Sequence, residues 1–145
     1  MKKRFMGAHP PIRDYGGEPF VFNINHATER NENFRTTLWT GSGMQLTLMS
    51  IPRGQDIGAE MHGDVDQFLR IVSGTGKVYI GDCKGELKEA ATVNGDCAIL
   101  LPAGTWHNVV NVGSRPLKLY SLYAPPEHQA GTVHRTKEAA EEAEA

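Results

Sequence analysis

Four side chains in two short stretches have the types and spacing of a metal centre. In the first stretch, Gly58 to Phe68, Glu60 and His62 stand two apart, and side chains two apart on a strand share a face. Gln67 follows across the turn Gly63-Asp64-Val65-Asp66, a composition that reverses the chain and returns Gln67 on the neighbouring strand facing the same way. In the second stretch, Pro102-Ala103-Gly104 sets where a strand begins, so that Thr105, His107 and Val109 share a face. One carboxylate oxygen, one amide oxygen and two imidazole nitrogens make a donor set without thiolate. Such a set suits Fe²⁺, Mn²⁺, Ni²⁺, Co²⁺ or Zn²⁺ and discriminates poorly among them. A six-coordinate ion there keeps two positions for water or substrate, which is the arrangement of Lewis-acid or oxygen-activating chemistry. Two His and one carboxylate are also the donors of non-haem Fe(II) oxygenases. Taken singly, each of these residues is more often a hydrogen-bonded core or surface group, and Asp64 and Asp66 read as solvated loop acids. Their conjunction is what argues for a metal.

Positioning them requires strands. Phe20 to Ile24 is expected as a first strand from its aromatic and β-branched content. Residues 25–33 are polar and read as a loop. Phe34 to Thr40 and the alternating Met44 to Ile51 follow as strands, and then Gln67 to Ser73, Lys77 to Ile80, the weakly patterned Glu86 to Val93, Cys97 to Leu101, Thr105 to Asn111 and Leu117 to Tyr123. On the Gln67 strand, Leu69 and Ile71 join Gln67 inward, while Phe68, Arg70 and Val72 face away. Asn94-Gly95 is a turn dipeptide, Gly41-Ser42-Gly43 and Gly74-Thr75-Gly76 are turns rather than dinucleotide loops, and Pro125-Pro126 ends the sheet. About ten short strands with Gly/Pro turns and no helix within the run predict an all-β barrel or sandwich. Residues 1–24 form an N-terminal arm and first strand, 25–125 the barrel, and 126–145 a C-terminal tail with a short helix. In that tail Thr136 is placed to cap the helix, which lacks an apolar stripe and is expected to be solvated and without a functional role.

Composition narrows the function classes. The 145 residues carry 15 Lys and Arg against 17 Asp and Glu, a net charge of −2, and the cations are scattered, so no nucleic-acid footprint is expected. Gly7, His9, Pro10 and Pro11 stand where a signal peptide needs an apolar run, and no apolar run is long enough for a membrane span. Cys83 and Cys97 do not make a disulfide framework; reduced thiols and a cytoplasmic location are the expectation, with Cys97 in the core and Cys83 on the surface.

Gly54, Glu60, His62, Gln67 and Gly74 occupy the places of one motif of the cupin family, and Gly95, Pro102, Gly104, His107 and Asn111 those of its second motif. The chain resembles this family over about residues 40–125, and the resemblance implies a double-stranded β-helix, a jelly-roll barrel of the RmlC-like kind. It extends to small bacterial single-domain cupins labelled mannose-6-phosphate isomerase-like. Glu60 stands where that family usually has its first His, and Gln67 where it usually has Glu, so carboxylate and neutral ligand have exchanged strands while the formal ligand charge stays at −1. One extra residue separates Gly95 from Pro102, placing either a different turn or the start of a strand at Asp96.

The expected function is a divalent-metal-binding cupin (Zn, Fe, Mn or Ni) acting on a small polar metabolite, a sugar or oxygenated acid, as an isomerase, dioxygenase or lyase. The alternative is a non-catalytic small-molecule-binding or sensing module. Exposed sheet edges argue for a homodimer that uses the residue 1–24 arm. His128 and His134, in the polar exit segment, are more naturally solvated than part of a site. Arg35 and Arg53 have the chemistry to recognise an anionic substrate, though no spacing singles them out.

Overall fold

The structure is a computed structural model that describes residues 10–144 and the strand Arg4–Phe5. In chain order the elements are β1 (Arg4–Phe5), β2 (Phe20–Val21), α1 (Ile24–Arg30), β3 (Arg35–Thr40), β4 (Gln45–Ile51), β5 (Asp66–Ser73), β6 (Gly76–Gly81), β7 (Lys88–Val93), β8 (Ala98–Leu101), β9 (Trp106–Asn111), β10 (Leu117–Ala124), β11 (Val133–His134) and α2 (Lys137–Glu144). The order β11-β3-β4-β10-β5-β8 makes one antiparallel sheet and β7-β6-β9 a second, while β1 and β2 pair in parallel. Side chains of both sheets meet in one core, Met49, Ile51, Leu69, Ile71, Leu117 and Leu119 from the first against Val78, Val93 and Val109 from the second. This is the expected all-β barrel.

Register divides the barrel interior into two halves. On β10, Leu117 and Leu119 are followed inward by Ser121 and Tyr123. Ile51 faces Leu117 across β4, and Gln45 faces Tyr123; on the other side Ile71 faces Leu119, and Gln67 faces Tyr123. Because strand side chains alternate faces with a period of two, each strand passes from an aliphatic inner face to a polar one at the same level. Arg35, Thr37, Gln45, Thr47, Gln67, His107, Ser121 and Tyr123 are all buried. One half is a packed apolar plug, and the other is a polar interior.

Several expected features are corrected. Residues 25–33 are not simply a loop, since Ile24–Arg30 is helical: the Asn23 side chain accepts the His26 N–H at 2.9 Å, an N-cap of about 1 kcal/mol, and Ala27 is buried against Leu38, Leu46 and Leu48 on the outer face of the large sheet. Burial of that one face outweighs the weak helix propensity of Asn25, His26 and Thr28. The Phe20 strand is shorter than expected, only Phe20–Val21, because the chain turns into α1. The apolar run Cys97 to Leu101 is not buried throughout. It alternates instead, with Ile99 and Leu101 inward and Leu100 76% exposed, as β8 has only one face on the core. Cys97 is partly buried against that core and Cys83 is exposed. The extra residue near Gly95 is absorbed by the turn: Asp96 takes φ 76° and its N–H bonds Ile71 O at 2.8 Å. Part of the N-terminal arm, residues 1–3 and 6–9, lies outside the described residues, as does any role of it in a dimer.

Asp14 ties the arm to the barrel. Its Oδ2 accepts from Thr40 Oγ1 at 2.7 Å and Gly131 N–H at 3.0 Å, and its Oδ1 from Gly16 N–H at 2.7 Å. Partial burial raises its pKa, but the Thr40, Gly16 and Gly131 donors outweigh it and hold the carboxyl below its ordinary 3.8. A depressed carboxylate contributes stability that is complete above its unfolded value and is lost as pH falls through its folded value. Asp14→Asn is therefore expected to destabilise the protein by about 1–2 kcal/mol at pH 7, and by progressively less below pH 3.8. Urea midpoints of parent and variant measured from pH 7 to 2.5 check this; a gap that does not narrow with acid removes the assignment.

Candidate metal centre

Glu60 and His107 are backbone neighbours. An isolated antiparallel bridge joins them, in which Glu60 N–H bonds His107 O and His107 N–H bonds Glu60 O, both at 3.0 Å. The 56–60 segment so extends the small sheet along the free edge of β9, with Asp56 paired to Val110. His62 lies two residues on, and its carbonyl accepts the Gly104 N–H at 2.8 Å. Thus the Pro102-Ala103-Gly104 turn and the Glu60 to His62 segment hold each other in place. On the other side of that turn, exposed Asp66 accepts the Ala103 N–H at 2.9 Å, so Asp66 serves the turn while Gln67, one residue later, is buried facing inward.

One ligand-type atom from each of Glu60, His62 and His107 lies within 4.8 Å of the others. Glu60 Oε1 is 3.6 Å from His62 Nε2 and 3.6 Å from His107 Nε2, too long for good hydrogen bonds. His107 Nδ1–H donates to Thr105 O at 3.0 Å, which leaves the Nε2 lone pair directed at the cluster. Glu127 Oε1 lies 3.4 Å from His62 Nδ1 and steadies that ring in the same sense. His62 Nε2, His107 Nε2 and Gln67 Oε1 are buried and have no hydrogen-bond partner, although Gln67 Nε2 is occupied by Ser121 Oγ at 3.1 Å. A buried polar atom left unpaired costs about 1–3 kcal/mol, and native chains seldom accumulate several in one place. A divalent ion held among Glu60, His62 and His107 would satisfy both imidazole nitrogens, and that donor set fits one.

The electrostatics agree. Burial raises the Glu60 pKa, but the His107 and His62 imidazoles outweigh it and bring the carboxyl down to about 2, so Glu60 is an anion. Burial pulls His62 down, and the neighbouring Glu60 more than reverses this, so its pKa is raised. Tyr123, edge-on to the His62 ring at 5.6 Å, is pushed up to about 12 by burial and by Glu60.

His128 is not solvated as its sequence context implied. Its ring stands edge-on to Tyr123 at 5.1 Å, its Nε2 is buried and unpaired, and burial together with Arg35 pushes it down to about 3. The segment that carries it is held by Gln45, whose Oε1 accepts the His128 N–H at 2.9 Å and whose Nε2 donates to His128 O at 2.8 Å. Glu60, His62, Glu127, His128, His134 and Glu144 line one cleft of about 470 Å³. The C-terminal helix is likewise no free appendage. Thr136 caps it as expected, but Ala140 is only 3% exposed within the barrel core, and Lys137 pairs with Asp56. A single small apolar residue docks it, too little to form a visible stripe.

Residues 47–123 match the family model described as cupin domain. The chain is 59% identical over 126 residues to the uncharacterized protein YrkC of Bacillus subtilis, covering 87% of this chain and 68% of that one. It is 38% identical over 115 residues to the uncharacterized protein L612 of Acanthamoeba polyphaga mimivirus, covering 79% and 70%. The crystal structure of BH2720 from Bacillus halodurans superposes with a TM-score of 0.88 at 55% identity, covering 90% of this chain and 99% of that one.

Proposed function

Because the chain belongs to the cupin family, we propose that it holds one divalent transition metal on Glu60, His62, Gln67 and His107 and uses it on a small polar metabolite that enters the cleft. The observation that carries this reading is the pair of buried, unpaired imidazole nitrogens of His62 and His107 clustered with an ionised Glu60, with the inward-facing Gln67 supplying a further buried, unpaired oxygen. When bound, the ion supplies Lewis acidity or an oxygen-activating centre. The chain's own contribution is to orient the imidazoles so that Nε2 faces the cluster, through Thr105 O on His107 Nδ1 and Glu127 beside His62 Nδ1, and to wall the site with Tyr123 and His128. A sugar or oxygenated acid fits such a site because adjacent oxygens chelate. A second reading, a binding or sensing module without turnover, draws support from the cleft's solvent-exposed rim, where the Glu144 side chain is 60% exposed. Homodimerisation through a sheet face is part of the proposal.

Elemental analysis of protein purified without added metal, followed by uptake trials with Fe, Mn, Ni and Zn, tests the site. About one ion per chain is expected, and no metal after all trials defeats the proposal. Substrate screens on loaded protein then separate enzyme from binding module.

A further inference from the structure

Arg35 is a buried cation without an adequate counter-ion. It sits on the inner face of β3, opposite Met49, with a side chain only 3% exposed and the guanidinium carbon 5.4 Å from the Phe34 ring centroid. Its Nη1 donates to His134 Nδ1 at 3.3 Å, and its Nε has no partner. Burial and the nearby guanidinium lower the His134 pKa, consistent with a neutral acceptor. Among the described residues, the one carboxylate within ion-pair distance is Glu144 Oε1, at 3.9 Å, on a side chain 60% exposed. A guanidinium presents five donors in a planar fork matched to a carboxylate, and burying it unpaired is costly. A long, solvent-side contact from the last turn of a helix docked by Ala140 fills that need poorly.

His134 and Glu144, the two groups that touch Arg35, both line the cleft that Glu60 and His62 also line. The charge of Arg35 reaches Glu60, His62 and His128. We propose that Arg35, with His134 beside it, is the recognition site for a carboxylate on the molecule that enters the cleft, and that Glu144 occupies this position in its absence. The substrate class is then a small oxygenated acid rather than a neutral sugar. This deepens the metal reading and rests on it only for where the rest of the acid lies.

The probe is glycolate, with glycolamide as its neutral analogue and inorganic phosphate as a competing anion, titrated calorimetrically into the full chain both metal-free and Zn-loaded. Arg35→Met is expected to weaken glycolate about tenfold or more, with Arg35→Lys in between because a point charge replaces the fork. Glu144→Gln is expected to tighten it about threefold or more, since an internal competitor is removed. Should Arg35→Met fail to fold by circular dichroism, Glu144→Gln and Arg35→Lys decide. Glycolate affinity unchanged in these variants, glycolamide or phosphate binding as well as glycolate, or no glycolate binding by parent and Glu144→Gln, overturns the assignment. Metal content of every variant is measured in parallel. Arg35-dependent glycolate binding by a chain that takes up no metal upholds this site and defeats the metal reading alone, whereas normal metal uptake with Arg35-independent binding does the reverse.

Discussion

Replacing His107 by alanine is expected to leave the protein with less than about a tenth of the metal the parent holds under the same purification. Loss of a residue that merely orients a ligand costs about 10–100-fold in metal affinity, and loss of the ligand itself costs more. His107 is 1% exposed and fixed by its own backbone bridge to Glu60 and by Thr105 O, which hold its Nε2 toward Glu60. Removing the ring also leaves a void in the barrel, with an expected penalty of about 1–3 kcal/mol in the metal-free protein. His107→Gln, closer in volume, separates the two effects, since it restores much of the packing and only part of the ligation. Metal-to-protein ratios by plasma mass spectrometry, with urea unfolding of chelator-treated samples, check both. An alanine variant that keeps one ion per chain removes His107 from the site.

The second large effect is expected at Ala140. Ala140→Asp places a carboxylate within the core that Ala140 enters at 3% exposure, and an unpaired buried charge costs several kcal/mol. The chain has a cheaper response. Docking of α2 through one alanine and the Lys137–Asp56 pair is worth about 2 kcal/mol, so the helix detaches before the barrel unfolds. Hydrogen exchange is then expected to show loss of protection over residues 137–144, with β4, β5 and β10 unchanged. Ala143→Asp, at an exposed position on the same helix, is the control and should leave the docking intact. Cooperative unfolding of the whole barrel by Ala140→Asp shows instead that α2 is part of the folding unit.

What the sequence made legible had period and locality. Alternation on β5 separates Gln67, Leu69 and Ile71 from Phe68, Arg70 and Val72, as the burial confirms, and the Pro102-Ala103-Gly104 turn places His107 inward. The Asn111 of the second motif has a structural explanation as well, since its Nδ2 bonds Ile51 O and Arg115 O and its Oδ1 accepts the Gly113 N–H. What stayed hidden depends on partners distant in the chain. Arg35 is defined by a residue 99 positions away, and the burial of His128 follows from Gln45, 83 positions away. Neither relation leaves a periodic trace. The α1 helix was obscured by its polar residues, and α2 docks by one methyl group. The family is established, whereas the isomerase-like label attached to some of its small members does not follow from it.

The reciprocal bridge between Glu60 and His107, and the bond from Gly104 to the His62 carbonyl, have a bearing on ion selectivity. Glu60 and His107 are cross-linked through their own peptide groups, and the His62 carbonyl is tied to the turn before β9, so main-chain hydrogen bonds set the backbone spacing of these three proposed ligands. A stiff cage of this kind discriminates by ionic radius more than by donor chemistry, and it does so before any ion arrives. On that basis, ions of similar donor preference but different radius, Mn²⁺ and Ni²⁺ among them, should differ in affinity by more than their ordering in flexible small chelators, because the larger ion has to strain β9 to be accommodated.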